Sequence, residues 1–312
     1  MNTENNVSVI ITTYNSAECI VAAIQSVLQQ CNVNVEIIIV DDCSDDFPLL
    51  KNKAEHYSLQ CPITILQPEG KGNANVSRNI GIQAAQYSYV AFLDADDTWN
   101  NQHLISCLTT IHDQSLDACF SRVNLISDQI VTKAIPTYKT QSDICEFIFI
   151  QGGISVTSSL VINKATLVNV TFNNKLFKHQ DWDFLIRYTY AYKLGQSPYY
   201  GLNYTLSTGT NMSSKFNFDA SIFFMNNTLS ERWHAIFISS QITKIINEKR
   251  YSDLVSLRTK LNGNYKNDCG LLGFKNNLII SSAKSRVLFK VIASIFRIVS
   301  SVKSQVRLLL KF

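Results

Sequence analysis

The chain has 312 residues, of which 46% are hydrophobic and 17% are charged, with a formal net charge of +4. This composition excludes a disordered chain, and the length is sufficient for a large buried core. No stretch has the roughly 18 uncharged apolar residues of a membrane-spanning helix, and the polar N-terminal residues do not resemble a secretory signal. The eight cysteines include no C-x-x-C pair, which argues against a zinc site and favours reduced thiols in a cytoplasmic protein.

The N-terminal part of the chain alternates between apolar runs and amphipathic segments. Strands rich in Val and Ile are predicted at 7–15, 35–42 and 63–67, and a fourth strand opens at Val90. Helices are predicted between them, at about 17–30, 46–57 and 75–86. Strands that alternate with helices at this spacing indicate right-handed βαβ units and a mostly parallel sheet.

The pattern becomes less regular after the fourth strand. The predicted elements are a helix at 102–114, a strand at 118–126, an irregular stretch at 128–150, a flexible entry to a further strand at 152–162, a helix after the polar residues 178–181, and a last strand at 199–208. The chain beyond about 219 has a helical pattern. We therefore expect an α/β domain at 1–215, a helical C-terminal region at 216–283 and a basic amphipathic helix at 284–312.

Polar residues follow the predicted strands at the point where each strand ends, at Thr12–Asn15, Asp41–Ser44 and Asp94–Asp97. If the sheet is parallel, all three groups meet at the edge where α/β proteins bind ligands. Asp94 and Asp96 offer two oxygen ligands on one side of a short turn, which suits a divalent cation whose shell is completed by phosphate. The alternative is a solvated acidic turn that caps the next helix at Asn100 or Asn101, with Asp97 supporting the turn or capping that helix.

Asp181 is a further candidate, because it is expected near the N-terminus of the helix that follows residues 178–180. The helix dipole favours a carboxylate at that position. A purely structural N-cap role for Asp181 is equally consistent with the local sequence.

Five motifs occur in order along the chain: V-S-V-I-I-T-T-Y-N at 7–15, I-I-V-D-D-C-S at 38–44, G-N-A-N-V-S-R-N-I-G-I at 72–82, F-L-D-A-D-D-T-W at 92–99 and H-Q-D-W-D-F-L-I-R at 179–187. Together they resemble a family 2 glycosyltransferase with the GT-A fold, which has a Rossmann-like, mostly parallel sheet flanked by helices. The resemblance covers about residues 7–195. It implies an inverting transfer of a sugar from a UDP- or dTDP-type donor to a glycan acceptor, expected to be lipid-linked, in bacterial surface-polysaccharide synthesis such as that of O-antigen or capsule.

The resemblance also implies which residues hold the nucleotide-sugar donor. Thr12 and Tyr14 match positions that line the nucleotide base, and Tyr14 can stack on its ring. Asp42 matches the acid that hydrogen-bonds the base. Arg78 matches a basic residue near the nucleotide, and it could also balance the charge of the acids or the diphosphate.

The reacting groups follow from the same resemblance. Asp94 and Asp96 match the Asp-x-Asp motif that contacts the donor and holds a divalent metal, Mn²⁺ or Mg²⁺. Asp181 matches the catalytic base, which accepts the proton of the acceptor hydroxyl. Gln180 departs from the family, since many relatives have Glu before the catalytic Asp.

Other nucleotide-binding classes lack their motifs in this sequence. No G-x-G-x-x-G follows the first strand, and there is no G-x-x-x-x-G-K-[ST] loop, so a dinucleotide-dependent dehydrogenase and a P-loop protein are disfavoured. The glycine-rich loop of sugar nucleotidyltransferases is also missing. The competing hypothesis is a non-catalytic nucleotide-sugar-binding or membrane-scaffold protein derived from such an enzyme, although retention of the four acids Asp42, Asp94, Asp96 and Asp181 argues against it.

The C-terminal segment 284–312 contains seven of the 28 Lys and Arg residues and no acid. As a helix it would separate bases from apolar residues, and such a helix can lie on an anionic membrane surface. We therefore expect a peripheral protein on the inner face of the cytoplasmic membrane that does not bind nucleic acid. The alternative is a terminal helix that packs on the catalytic domain.

Overall fold

The computed structural model describes residues 5–126, 130–131, 136–205, 217–247, 250, 253 and 257. The chain divides into two compact units, Met1–Phe216 and Asn217–Phe312. Within the described part of the chain, no helix combines the length and the apolar character that crossing a membrane requires. The seven cysteines in that part form no disulfide with one another.

The first unit is built on a mixed sheet that is mostly parallel. Its strands are β1 (Asn6–Thr13), β2 (Asn34–Asp41), β3 (Ile63–Leu66), β4 (Tyr89–Asp94), β5 (Thr98–Trp99), β6 (Ala118–Ile126), β7 (Ile130–Val131), β8 (Leu160–Asn163) and β9 (Leu194–Thr205). Their order across the sheet is β3-β2-β1-β4-β8-β6-β9-β5, with β7 paired to β6. Strands β1 to β4 are parallel, whereas β8 runs antiparallel to its neighbours β4 and β6.

Helices connect the strands and cover the sheet. They are α1 (Ile20–Leu28), α2 (Phe47–Glu55), α3 (Ala74–Ala84), α4 (His103–Asp113), α5 (Ile144–Phe149) and α6 (Gln180–Thr189). The apolar runs of β1, β2 and β4 are buried on both faces, as the continuous Val and Ile patterns predict. Helix α3 packs closely on β1, because a Cβ at Gly81 would lie 2.4 Å from Cγ2 of Ile10.

The register of the parallel strands brings their polar ends together. Thr12 of β1 lies beside Asp94 of β4, and Thr13 lies beside Asp41 of β2. Asp42 follows directly, and its amide donates to the carbonyl of Thr13 at 2.9 Å. The predicted convergence of these three segments on one edge of the sheet is therefore confirmed.

Three local predictions are wrong. The stretch 128–150 contains α5, which is capped by Asp143 and is too short to produce a clear periodicity. The helix after the acidic turn is α4, and its N-cap is Gln102 rather than Asn100, Asn101 or Asp97. The last strand begins at Leu194 rather than at 199, since parallel pairing of Leu194 with Ala118 sets its start.

The second unit is helical where it is described, as predicted. It contains α7 (Phe218–Thr228) and α8 (Glu231–Asn247). Asn217 caps α7 through its side chain, which accepts from the amide of Ala220 at 3.0 Å. Phe224 and Phe237 are buried, with their ring centroids 5.3 Å apart. The basic segment 284–312 lies outside the described residues, so its proposed membrane helix stays a prediction.

Candidate active site

Asp94 lies at the centre of the polar edge, at the end of β4. Its Oδ1 accepts hydrogen bonds from Oγ1 of Thr12 and from Nη2 of Arg78, each at 2.9 Å. Its backbone amide donates to Oγ of Ser158 at 3.1 Å. Asp94 is thus held by β1, α3 and the segment before β8. Its side chain is nevertheless 37% exposed, so a ligand can reach it.

Asp96 is exposed on the turn that follows Asp94. Partial burial of its surroundings and then the negative charge of Asp94 raise the pKa of Asp96. Asp97 is buried instead, and its amide donates to the carbonyl of Asp94 at 3.0 Å, so it belongs to the turn itself. A cation between Asp94 and Asp96 would relieve the repulsion of the two carboxylates.

The donor set of this turn fits a hard divalent metal, but it is incomplete. Asp94 and Asp96 offer carboxylate oxygens, the ligand type that Mg²⁺ and Mn²⁺ prefer. Among the residues that the structure describes, no three His, Cys, Asp or Glu side chains are grouped so as to hold a metal ion. The remaining ligands of a cation at this turn would have to come from substrate oxygens and water.

Arg78 is the internal counter-charge of the site. It projects from α3, is only 3% exposed, and has its guanidinium 5.3 Å from the ring centroid of Phe172. Besides its bond to Asp94, its Nη1 donates to Oε1 of Gln180 at 3.4 Å. Its buried Nε has no hydrogen-bond partner among the described groups. This guanidinium therefore joins the end of β4 to the start of α6.

Asp181 lies in the first turn of α6 and does not cap that helix, because the N-cap is His179. It accepts a hydrogen bond from the hydroxyl of Thr157. Burial raises the pKa of Asp181, although the positive charge of Arg78 and hydrogen bonding from Thr157 act in the opposite direction. A carboxylate whose pKa lies above its ordinary value is a better proton acceptor.

Residues around Asp181 fix the start of α6. Gln180 donates through Nε2 to the carbonyl of Leu176 at 2.9 Å, so its amide serves both Arg78 and the main chain. His179 adopts the left-handed conformation with φ of 60°, and its ring stacks on Trp182 at a centroid distance of 4.9 Å. Trp182 is half-buried rather than fully inside the core.

Tyr14 and Asp42 lie farther along the same edge, after β1 and β2. Tyr14 is 45% exposed, and its hydroxyl accepts a hydrogen bond from Lys71. Asp42 is buried, and its Oδ1 accepts from the amide of Gly72 at 2.7 Å. Its neighbour Asp41 is used structurally, because it accepts from the amide and the hydroxyl of Ser44.

Sequence reasoning missed Thr157, which forms a 3₁₀ turn before β8 together with Ser158 and Ser159. Thr157 bonds Asp181 and Ser158 bonds Asp94, whereas the hydroxyl of Ser159 is turned to the carbonyl of Val156 at 2.7 Å. A Thr-Ser-Ser run before a strand was the only available signal.

A cavity of about 270 Å³ lies near the other end of α6, lined by residues that include Tyr138, Gln141, Tyr190 and Lys193. It adjoins the start of β9, at the amino-terminal edge of the sheet. None of the acids at the polar edge lines it, so it is not part of the candidate active site.

Comparisons with known proteins find similarity to glycosyltransferases. Residues 8–151 match the family model Glycosyl transferase family 2. The amylovoran biosynthesis glycosyltransferase AmsB of Erwinia amylovora is 34% identical over 60% of this chain and 64% of its own length. The UDP-Glc:alpha-D-GlcNAc-diphosphoundecaprenol beta-1,3-glucosyltransferase WfaP of Escherichia coli is 33% identical over 40% of this chain and 49% of its own length. The chain thus spans only about half to two thirds of these two relatives.

Solved structures share the fold at low sequence identity. The S. aureus TarS 1–349 fragment in complex with UDP-GlcNAc superposes with a TM-score of 0.63 and 18% identity, covering 94% of this chain and 91% of that one. A longer S. aureus TarS structure gives a TM-score of 0.66 and 17% identity, covering 93% of this chain and 55% of that one. This likeness confirms the predicted GT-A-like fold.

Proposed function

Because residues 8–151 match the family model Glycosyl transferase family 2, we propose that the chain is an inverting, metal-dependent glycosyltransferase. Its donor is a UDP- or dTDP-type sugar, and its acceptor is a lipid-linked glycan in bacterial surface-polysaccharide synthesis. One observation carries this proposal. The adjacent residues Thr157 and Ser158 hold Asp181 and Asp94, and Arg78 bonds Asp94 directly.

The base of the proposed reaction is Asp181. An acceptor hydroxyl that approaches this carboxylate can lose its proton to it as the oxygen attacks the anomeric carbon. The hydrogen bond from the Thr157 hydroxyl orients the carboxylate, and its raised pKa favours proton uptake. With a single base and direct attack, the configuration of the anomeric carbon inverts.

Asp94 and Asp96 are the residues that would hold Mn²⁺ or Mg²⁺ in this proposal. When bound, such a cation acts as a Lewis acid that stabilises the negative charge on the leaving nucleoside diphosphate. Thr12 and Arg78 bond Oδ1 of Asp94, which fixes the direction of the carboxylate. Arg78 is buried, and it therefore acts on the donor mainly through the charge it places behind Asp94.

The nucleotide base is assigned to Tyr14 and Asp42. The exposed ring of Tyr14 offers a stacking surface, and the carboxylate of Asp42 can accept from a base N–H. The complex of TarS with UDP-GlcNAc supports a nucleotide-sugar donor for this fold. The acceptor class is proposed from the relatives, since WfaP is named as a glucosyltransferase that acts on alpha-D-GlcNAc-diphosphoundecaprenol.

The cellular setting is proposed from the sequence. The bases of 284–312 would hold the protein on the anionic inner face of the cytoplasmic membrane, where lipid-linked acceptors are exposed. Deletion of 284–312 should release the protein from anionic vesicles and leave nucleotide affinity unchanged. Equal vesicle binding by the truncated chain would contradict the membrane assignment.

The reaction can be tested by incubating the protein with UDP- and dTDP-sugars, lipid-linked acceptors and Mn²⁺ or Mg²⁺. Transfer should stop in EDTA and in Asp181→Asn, while Asp181→Asn still binds the donor. Asp113→Asn, which changes an exposed carboxylate at the end of α4, is the matched control. Full transfer by Asp181→Asn, or transfer that is unaffected by EDTA, would contradict the mechanism.

A further inference from the structure

The loop between β3 and α3 lies against the proposed base-binding residues. Lys71 places its Nζ 3.9 Å from the ring centroid of Tyr14 and also donates a hydrogen bond to the Tyr14 hydroxyl. That hydrogen bond raises the pKa of Lys71, so the group is a cation at neutral pH. One face of the Tyr14 ring is therefore covered by a cation–π contact.

The next residue of the same loop engages the other base-binding group. The amide of Gly72 donates to Oδ1 of Asp42 at 2.7 Å. A base N–H that approached this oxygen along the same direction would compete with the Gly72 amide. A base ring on the same face of Tyr14 would likewise compete with Lys71. Two consecutive residues thus occupy both groups that the proposed function assigns to the base.

The loop has fixed ends and an open middle. Before it, Gln67 donates to Asp41 at 2.9 Å. After it, Asn73 is buried, caps α3 through its side chain and donates to the carbonyl of Asn174 at 2.9 Å. Between these anchors, residues 69–71 are exposed, and a Cβ at Gly70 would meet no atom within 4 Å. The segment can therefore move without disturbing the core.

We propose that residues 69–72 form a lid over the nucleobase subsite, with Lys71 on Tyr14 and Gly72 on Asp42, and that a bound base displaces both contacts. This inference rests on the proposed function, because it takes Tyr14 and Asp42 as the base-binding pair. The lid makes base binding weaker than the exposed Tyr14 ring alone would allow. It also couples recognition of the base to movement of the segment that leads into α3, the helix that carries Arg78.

Lys71→Ala tests the first contact, with uridine as the probe because it has a base and no phosphate. Loss of one exposed cation–π contact should tighten uridine binding about two- to fivefold in a chemical-shift titration. Lys51→Ala is the matched control, since it removes an exposed cation on α2 that lies 3.8 Å from Glu55. Its uridine affinity should equal that of the wild type. Weaker or unchanged uridine binding by Lys71→Ala would overturn the lid.

Hydrogen exchange tests the second contact. The Gly72 amide should be protected in the protein alone, and its exchange should accelerate when uridine is added, since the base takes its place on Asp42. Ordinary ligand binding slows exchange, so slower or unchanged exchange at Gly72 would argue against displacement. If wild type and variants bound neither uridine nor UDP, the proposed function would fail together with the lid. Uridine binding without these two effects would overturn the lid alone.

Discussion

His103 makes the stability of the protein depend on pH. Its side chain is fully buried at the start of α4, and neither ring nitrogen has a hydrogen-bond partner among the described residues. The ring packs against Trp99 in a tilted arrangement, with a centroid distance of 4.4 Å. Burial lowers the pKa of His103 from 6.5 to about 3, because the charged imidazolium would lose its hydration without gaining a partner.

The sign and size of the effect follow from this difference. The unfolded chain takes up a proton at His103 below its pKa of 6.5, whereas the folded chain resists protonation until about pH 3. The contribution of His103 to the free energy of unfolding is therefore fully present above pH 6.5, and it is lost progressively as the pH falls. Between pH 8 and pH 5 the loss is about 2 kcal/mol in the free energy of unfolding. It approaches about 5 kcal/mol near pH 3.

His103→Leu removes the titrating group and keeps a buried apolar side chain. Urea unfolding of wild type and variant can be followed by tryptophan fluorescence at pH 8 and at pH 5. The free energy of unfolding of the variant, relative to that of wild type, should be about 2 kcal/mol higher at pH 5 than at pH 8. Subtracting the two proteins cancels the other titrating groups. His56→Leu, at an exposed histidine, controls for the loss of one imidazole. A wild-type-to-variant difference that does not change with pH would refute the argument.

Three further predictions concern the site and its support. Thr157→Val removes a hydrogen bond that lowers the pKa of Asp181, so the acidic limb of the pH profile of kcat/KM should move to higher pH. If the limb does not move, Asp181 is not the group that titrates there. Arg78→Met leaves Asp94 without its cation, and kcat/KM should fall by about 10- to 100-fold, in line with roughly 1.5–3 kcal/mol for a hydrogen bond between charged groups, while a loss under about threefold would contradict its role. Gly201→Ala places a Cβ 2.4 Å from the His103 ring, and chemical denaturation should show a loss of about 1–3 kcal/mol, whereas a neutral effect would mean that the ring can shift.

The strands and the ends of the site could be predicted because their signals are local. Buried parallel strands are continuous apolar runs, and the chain leaves the sheet at the first polar residues, so Thr12, Asp42 and Asp94 were readable as strand ends. The parallel direction of β1, β2 and β4 then requires these residues to share one edge. The roles carried over from the family still await the experiments above.

Contacts between distant segments were decided only by the tertiary structure. Nothing in the local sequence of Thr157 and Ser158 indicates that they bond Asp181 and Asp94, because that pairing depends on β8 running antiparallel beside β4. The burial of Arg78 likewise depends on how α3 and α6 meet. The position of Arg78 in the motif predicted only a cation near the nucleotide. Its hydrogen bonds show that it connects Asp94 to Gln180 inside the protein.

The sequence by itself determined the fold class, the position of the acids at strand ends and the helical character of the described C-terminal part, since hydrophobic periodicity records which faces are buried. The tertiary structure decided the protonation environment of Asp181, the isolation of His103 and the cover of Lys71 and Gly72 over Tyr14 and Asp42. Each of these depends on desolvation or on distances between segments far apart in the chain. Such quantities exist only once the chain is packed.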